Sequence, residues 1–283
     1  ATVQAVTVNF GTAAAVATDS IQGWPAAPAT ASETAVLIDA DTGAVLYDKG
    51  MDEYRYPAST TKIMTLLVAV ENASPRDTVT FTETGVRDVN WDSSNIGMKL
   101  GETMTMKDCW YAAIIESANE VCAQIAETVG GSEANFINMM NEMQKEGAGP
   151  GPHFANHEGC IGGNTGSPQD AGHTLVEAAE RNGRTYIAVT MRTPDLGQNC
   201  TDSIALFDYA FNNFDSIDVN GTKMTVPKGV TVNDLTTQTM EKGGNTFNQY
   251  YYNGQFVGYA KVQAPASTEA AAAAEENTTA VSG

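Results

Sequence analysis

Basic residues are scarce in this 283-residue chain. Fifteen Lys+Arg stand against 34 Asp+Glu, a formal charge of -19. Such a field repels polyanions at long range, so nucleic acid is the first partner class excluded. Cysteine is sparse as well. Cys109, Cys122, Cys160 and Cys200 show no CxxC spacing and are too few for a disulfide scaffold, so buried free thiols are expected. Of three histidines, His153 and His157 join Cys160 in an HxxxHxxC pattern. That pattern falls in residues 147–163, too rich in Gly and Pro to hold a helix face, and it lacks a fourth ligand; no metal is expected there. No glycine-rich phosphate loop occurs, so no cofactor is expected. No apolar run reaches the roughly 20 residues of a membrane-spanning helix. What remains is ordinary for a folded chain, 42% hydrophobic and 17% charged, with length for one large domain or two.

The two ends differ from the middle. Residues 1–17 are small and apolar and finish in Ala15-Val16-Ala17, an A-x-A cleavage pattern. They read as the trailing part of an export signal, the mature chain beginning near Thr18. The last twenty residues, APASTEAAAAAEENTTAVSG, are a low-complexity tail.

Between the ends, apolar runs at 34–39 and 44–49 flank Asp41-Thr42-Gly43 and predict a hairpin. Ile63, Leu66, Leu67 and Val70 recur at helical spacing after Pro57. A second helical stretch spans about 107–129 and stops at Gly130-Gly131. Ser132 caps a third, whose Phe136, Met139, Met140 and Met143 form a packing stripe. Runs at 172–179 and 184–191 join through Asn182-Gly183 as a hairpin, and Ile204, Phe207, Phe211 and Phe214 are helical again. After Asp215, turns at Asn220-Gly221, Gly243-Gly244 and Asn253-Gly254 separate Thr-, Val- and Tyr-rich runs, a small all-β portion. The order predicts an α+β arrangement, a sheet with helices segregated around it. The expected segments are 1–31 (signal remnant and arm), 32–214 (the main α+β domain), 215–261 (β domain) and 262–283 (tail).

One constellation carries chemistry. Ser59-Thr60-Thr61-Lys62 puts a hydroxyl and an amine three residues apart on the first turn of a helix, on one face. A serine needs a base to become a nucleophile, and a partly buried, neutral Lys serves. Ser59 alone among the serines has a Lys three residues on. Ser117-Ala118-Asn119 is the second element. A Ser and an Asn two apart diverge on a regular helix, so a shared role requires a local break inside 107–129. Ser93-Ser94-Asn95 matches the same SxN pattern but sits in a polar loop. The third element is Asn164-Thr165-Gly166, in the place of a KTG. SxxK, SxN and KTG in this order are the penicillin-recognising serine-hydrolase set.

With YPASTTKIMT from Tyr56, ESANEVCAQIAE from Glu116, the AVLIDADTGAVLYDKG hairpin and AGHTLVEAAERNGRTYIAVTM from Ala171, the chain resembles the D-alanyl-D-alanine carboxypeptidases, the low-molecular-mass penicillin-binding proteins of peptidase family S11, over roughly residues 20–260. VTVNDLTTQTMEKGGNTFNQYYYNGQFVGYA is similar to that family's C-terminal β domain. The resemblance implies a penicillin-binding/serine β-lactamase-like catalytic domain, shortened here, followed by the β domain. It implies an exported enzyme of the cell envelope that removes the terminal D-alanine from peptidoglycan stem peptides through a Ser59 acyl-enzyme and is acylated by β-lactams. Lys62 would be the general base and Ser117 the proton relay. Asn119 would bind the peptide, Asn164, Thr165 and Gly166 would line the cleft, and the N–H groups of Ser59 and Ser167 would form the oxyanion hole.

Two departures motivate a second reading, a homologue that binds peptidoglycan with impaired or no turnover. Asn164 replaces the KTG lysine, and the family's long segment between the HFxNxxG-like stretch (153–159 here) and the KTG strand is nearly absent. Pro168 stands where the family usually has Thr. A β-lactamase is disfavoured, because no Glu stands at a recognisable deacylation motif.

Overall fold

The computed structural model describes residues 15–87, 89, 93–147, 164–166 and 172–262. In chain order the elements are β1 (Thr34–Asp39), β2 (Val45–Lys49), α1 (Thr61–Asn72), β3 (Thr78–Thr80), α2 (Glu83–Val86), β4 (Thr103–Thr105), α3 (Met106–Ile115), α4 (Asn119–Gly130), α5 (Glu133–Gly147), β5 (Asn164–Gly166), β6 (His173–Arg181), β7 (Arg184–Thr193), α6 (Leu196–Asn213), β8 (Phe214–Val219), β9 (Thr222–Pro227), β10 (Thr236–Lys242), β11 (Asn245–Tyr252) and β12 (Gln255–Lys261).

Two cores divide this list. The five-stranded antiparallel sheet, order β2-β1-β7-β6-β5, packs one face on α6, burying Leu37, Tyr186, Ala188, Leu206 and Phe214 with Trp24. The helical core gathers α1, α3, α4 and α5 around Val68, Met106, Ile125 and Phe136. The methionine stripe of α5 packs against it as expected. Ser132 Oγ accepts the Asn135 N–H at 3.2 Å, capping that helix. The segregation of sheet and helices is the α+β arrangement read from the sequence.

The hairpins follow from local chemistry. Asn182-Gly183, Asn220-Gly221 and Asn253-Gly254 all have both residues at positive φ, between 47° and 86°, as a two-residue turn that matches strand twist requires. The β strands after residue 213 are tied into the main body. Val219, Met224, Val226, Tyr250 and Val257 belong to the same core as Trp24 and Leu37. Gln255 Nε2 donates to Val45 O at 2.9 Å, and Thr225 Oγ1 donates to buried Asp39. At the other end Val16 bridges to Lys49, and Thr18 is buried.

Two local features differ from a plain reading of periodicity. The 107–129 stretch is two helices, because Ser117 takes φ +54° and Ala118 is extended, which ends α3 and starts α4. In α1 the apolar stripe is only partly buried, and Val70 is exposed. The buried positions are Lys62, Thr65, Val68 and Ala69. The helix turns a polar edge inward, and Lys62 lies on it.

Candidate active site

Ser59 sits in a single helical turn, Ala58–Thr60, that leads into α1. Ala58 is left-handed at φ +53°, a conformation that costs a residue with a side chain on the order of 1 kcal/mol or more and persists only where surroundings enforce it. Those surroundings are visible. Pro57 O accepts from Thr60 N at 3.2 Å and from Thr174 Oγ1 of β6 at 3.2 Å. The sheet therefore holds the turn, and the turn aims the serine.

Three side chains from three segments meet at one oxygen. Lys62 Nζ, one turn along the helix, donates to Ser59 Oγ at 3.2 Å, and Ser117 Oγ donates to the same atom at 3.2 Å. Ser117 reaches it because the chain is kinked there. A serine inside a continuous helix would follow the helix face, whereas the left-handed residue between α3 and α4 points its hydroxyl across 58 residues of sequence.

Burial sets the electrostatics. Lys62 is 7% exposed, and desolvation lowers its ammonium pKa below the ordinary 10.5, opposed by Cys122 and Glu120. Burial pushes the Cys122 thiol up to about 11, partly countered by Lys62. Cys122 is thus a neutral thiol near neutral pH, and Ser59 has no competing thiolate beside Lys62. The lysine itself is displaced toward the neutral amine a base must be.

The other sequence candidates fall as follows. Asn119 is the first residue of α4, half-buried, with its N–H donated to Ser94 O at 2.8 Å. Asn164, Thr165 and Gly166 form β5 at the sheet edge, paired with Val176, Leu175 and Thr174 respectively. Thr174 thus links the β5 strand to the Ser59 turn, and β5 lies against that turn. Ser167 lies outside the described residues, as do His153, His157, Cys160 and Pro168, and the 153–159 stretch with the junction after it. Among the described residues no group of three His, Cys, Asp or Glu is placed to hold a metal.

Sequence reasoning missed three participants. Thr174 carries no motif and is found only through the fold. Cys122 was read as a buried thiol without its neighbour Lys62. Glu120, next to Asn119, is completely buried, and its position in the first turn of a helix has a plain dipole explanation that concealed it. The Ser93-Ser94-Asn95 triplet, set aside as a chance match, lies against the head of α4 through the Ser94 carbonyl.

Comparison with known proteins bears on this geometry. The sequence profile of the D-alanyl-D-alanine carboxypeptidase family matches residues 22–160. D-alanyl-D-alanine carboxypeptidase DacF of Bacillus subtilis is 37% identical over 118 residues, covering 41% of this chain and 30% of that protein. The DacD carboxypeptidase of Salmonella typhimurium is 33% identical over 140 residues, covering 47% and 36%. The chain thus spans about a third of the length of these relatives. Penicillin binding protein 6B from Escherichia coli shares the fold at a TM-score of 0.65 and 20% identity, over 86% of this chain and 98% of that one. Penicillin binding protein 5 from Haemophilus influenzae does so at 0.64 and 21%, over 84% and 98%. The matched segment holds Ser59, Lys62, Ser117 and Asn119, the fold around it is that of the penicillin-binding proteins, and over residues 22–160 the chain is similar to the D-alanyl-D-alanine carboxypeptidase family, peptidase family S11.

Proposed function

We propose that this protein is a serine-type D-Ala-D-Ala carboxypeptidase acting on peptidoglycan stem peptides in the cell envelope, after export. The observation that carries the reading is the convergence of Lys62 Nζ and Ser117 Oγ on Ser59 Oγ, each at 3.2 Å.

The chemistry follows from those positions. With Lys62 neutral, its lone pair accepts the Ser59 proton as Oγ bonds to the carbonyl carbon of the penultimate D-alanine. The negative charge passes to the carbonyl oxygen, which the Ser59 and Ser167 N–H groups would hold. The proton leaves Lys62 and reaches the departing amine through Ser117; the C–N bond breaks and D-alanine is released. Water then adds to the Ser59 ester, and collapse returns the proton to Ser59 Oγ and frees the shortened peptide. A β-lactam amide would acylate the same oxygen.

Fluorescent penicillin labelling tests this, followed by D-alanine release from a tripeptide ending in D-Ala-D-Ala. The expected result is one covalent adduct, on Ser59, absent in Ser59→Ala. An unlabelled wild-type chain after long incubation would overturn the enzyme reading. Asn164 favours a second one, a peptidoglycan-binding homologue with impaired or no turnover, since β5 lies against the Ser59 turn without the motif's cation. Retention on peptidoglycan without acylation would select it.

A further inference from the structure

Glu120 is 0% exposed, an unusual place for a carboxylate unless it is used. Its Oε1 accepts the Ile96 N–H at 2.7 Å, while the neighbouring Asn119 N–H is donated to Ser94 O at 2.8 Å. These two bonds fasten the segment around residues 94–96 to the first turn of α4, next to Ser117 and Asn119. The second oxygen, Oε2, is buried and makes no hydrogen bond among the described residues. A carboxylate oxygen left without a hydrogen bond in the interior is costly, and an electrostatic partner offsets that cost.

The charge of Glu120 acts electrostatically on Lys62. Around it, Ser59 comes from the preceding turn, Ser117 from the α3–α4 junction, and Cys122 and Glu120 from α4. The serines are neutral, and Cys122 stays a neutral thiol near neutral pH. Glu120 is therefore the anion acting on Lys62 among the described residues.

We propose that Glu120 is a positioning residue with two linked tasks, pinning the 94–96 segment to the head of α4 through Oε1 and setting the proton affinity of Lys62 through its buried charge. The proposal rests on the reading of Lys62 as the base. Burial disfavours the ammonium form of Lys62, and a fixed anion opposes that effect without a direct ion pair that would pull Nζ from Ser59. When Lys62 becomes an ammonium, the charge forms beside a carboxylate already in place.

Glu120→Gln keeps the shape and an oxygen able to accept from Ile96 N–H, and removes the charge. Glu120→Ala removes both. In the full chain carrying lysine labelled with 13C at Cε, NMR titration should show the Lys62 midpoint falling by about one pH unit in Glu120→Gln, the scale of one nearby charge. Penicillin acylation of the same variant should show its acid limb displaced downward by a similar amount and its plateau slowed several-fold. Glu120→Ala should repeat the shift and lose more rate through the freed segment. A Lys62 midpoint unmoved in Glu120→Gln, or acylation slowed equally at all pH values, would reduce Glu120 to a structural residue and overturn the proposal. If the wild-type chain is not acylated at all, the enzyme reading fails, while the NMR titration still decides whether Glu120 sets the protonation of Lys62.

Discussion

Thr174 on β6 donates its hydroxyl to the carbonyl oxygen of Pro57, 3.2 Å away and 117 residues earlier in the chain. The bond joins the sheet to the turn that carries Ser59, and Thr174 is itself paired with Gly166 of β5. One residue thus fixes the spacing between the nucleophile and the strand expected to line the cleft. Thr174→Val preserves volume and β-propensity and removes the donor. Pro57 O keeps its bonds from Thr60, so the stability loss should be about 1 kcal/mol, a fall in Tm of roughly 2–4 °C. Acylation should slow by about tenfold, more than the unfolded fraction explains, because a loosened turn misplaces the attacking oxygen. Thermal melts and penicillin acylation at 25 °C check both numbers; a normal rate with a lowered Tm would mean the bond serves stability alone.

Ser117 combines a left-handed backbone, φ +54°, with the hydroxyl that reaches Ser59. Its two contributions have opposite signs. The backbone strain is relieved by glycine, which adopts positive φ without steric cost, whereas alanine keeps the strain. Ser117→Gly should therefore be more stable than Ser117→Ala by about 1 kcal/mol in urea unfolding, offset in part by the greater freedom of an unfolded glycine. Both should lose about 100-fold or more in acylation, the scale of a lost proton-transfer group. Equal stability of the two would show that the backbone at 117 carries no strain.

The reach of the sequence divides along these lines. Ser59 and Lys62 were legible because three residues on a helix put two groups on one face, a purely local relationship. The break at Ser117 was legible for the same reason in reverse, since Ser117 and Asn119 cannot share a role on an unbroken helix. The inward face of α1 was not. Periodicity registers hydrophobic residues, and here Lys62 and Thr65 are buried while Val70 is exposed, so the phase of the stripe misleads where a helix buries chemistry. Thr174 to Pro57 and Glu120 to Ile96 were equally invisible, because each joins segments that only the assembled fold brings together.

Burial of Lys62 also makes stability depend on pH. Its folded-state pKa is lowered below 10.5, so the unfolded chain holds the proton to higher pH than the folded one does. The penalty is full below the folded midpoint and is relieved as pH rises from there toward 10.5. Relative to Lys62→Met, wild type should gain stability as pH rises between the folded midpoint and 10.5. Urea midpoints of both proteins from pH 6 to 10 test this. A difference that stays constant across that range would mean the folded and unfolded pKa values coincide, contrary to the burial seen here.

Asn164 opens β5 at the position where the SxxK–SxN–KTG set has lysine. The β5 strand lies against the Ser59 turn, so a cation introduced at its start would lie near the site. Two effects follow in the same direction. A positive charge attracts the carboxylate of a D-Ala-D-Ala peptide or a penicillin, and it disfavours the ammonium form of Lys62, leaving more of the neutral base. Restoring a charge-assisted contact is worth about 1.5–3 kcal/mol, or roughly 10- to 150-fold in rate where it is felt in the transition state. Asn164→Lys should accelerate penicillin acylation within that range, with the gain reduced by added salt, which screens the attraction. The variant carrying both Asn164→Lys and Ser59→Ala should remain unlabelled, which separates acylation from non-covalent capture. An unchanged or slower rate in Asn164→Lys would show that the missing cation does not limit this site.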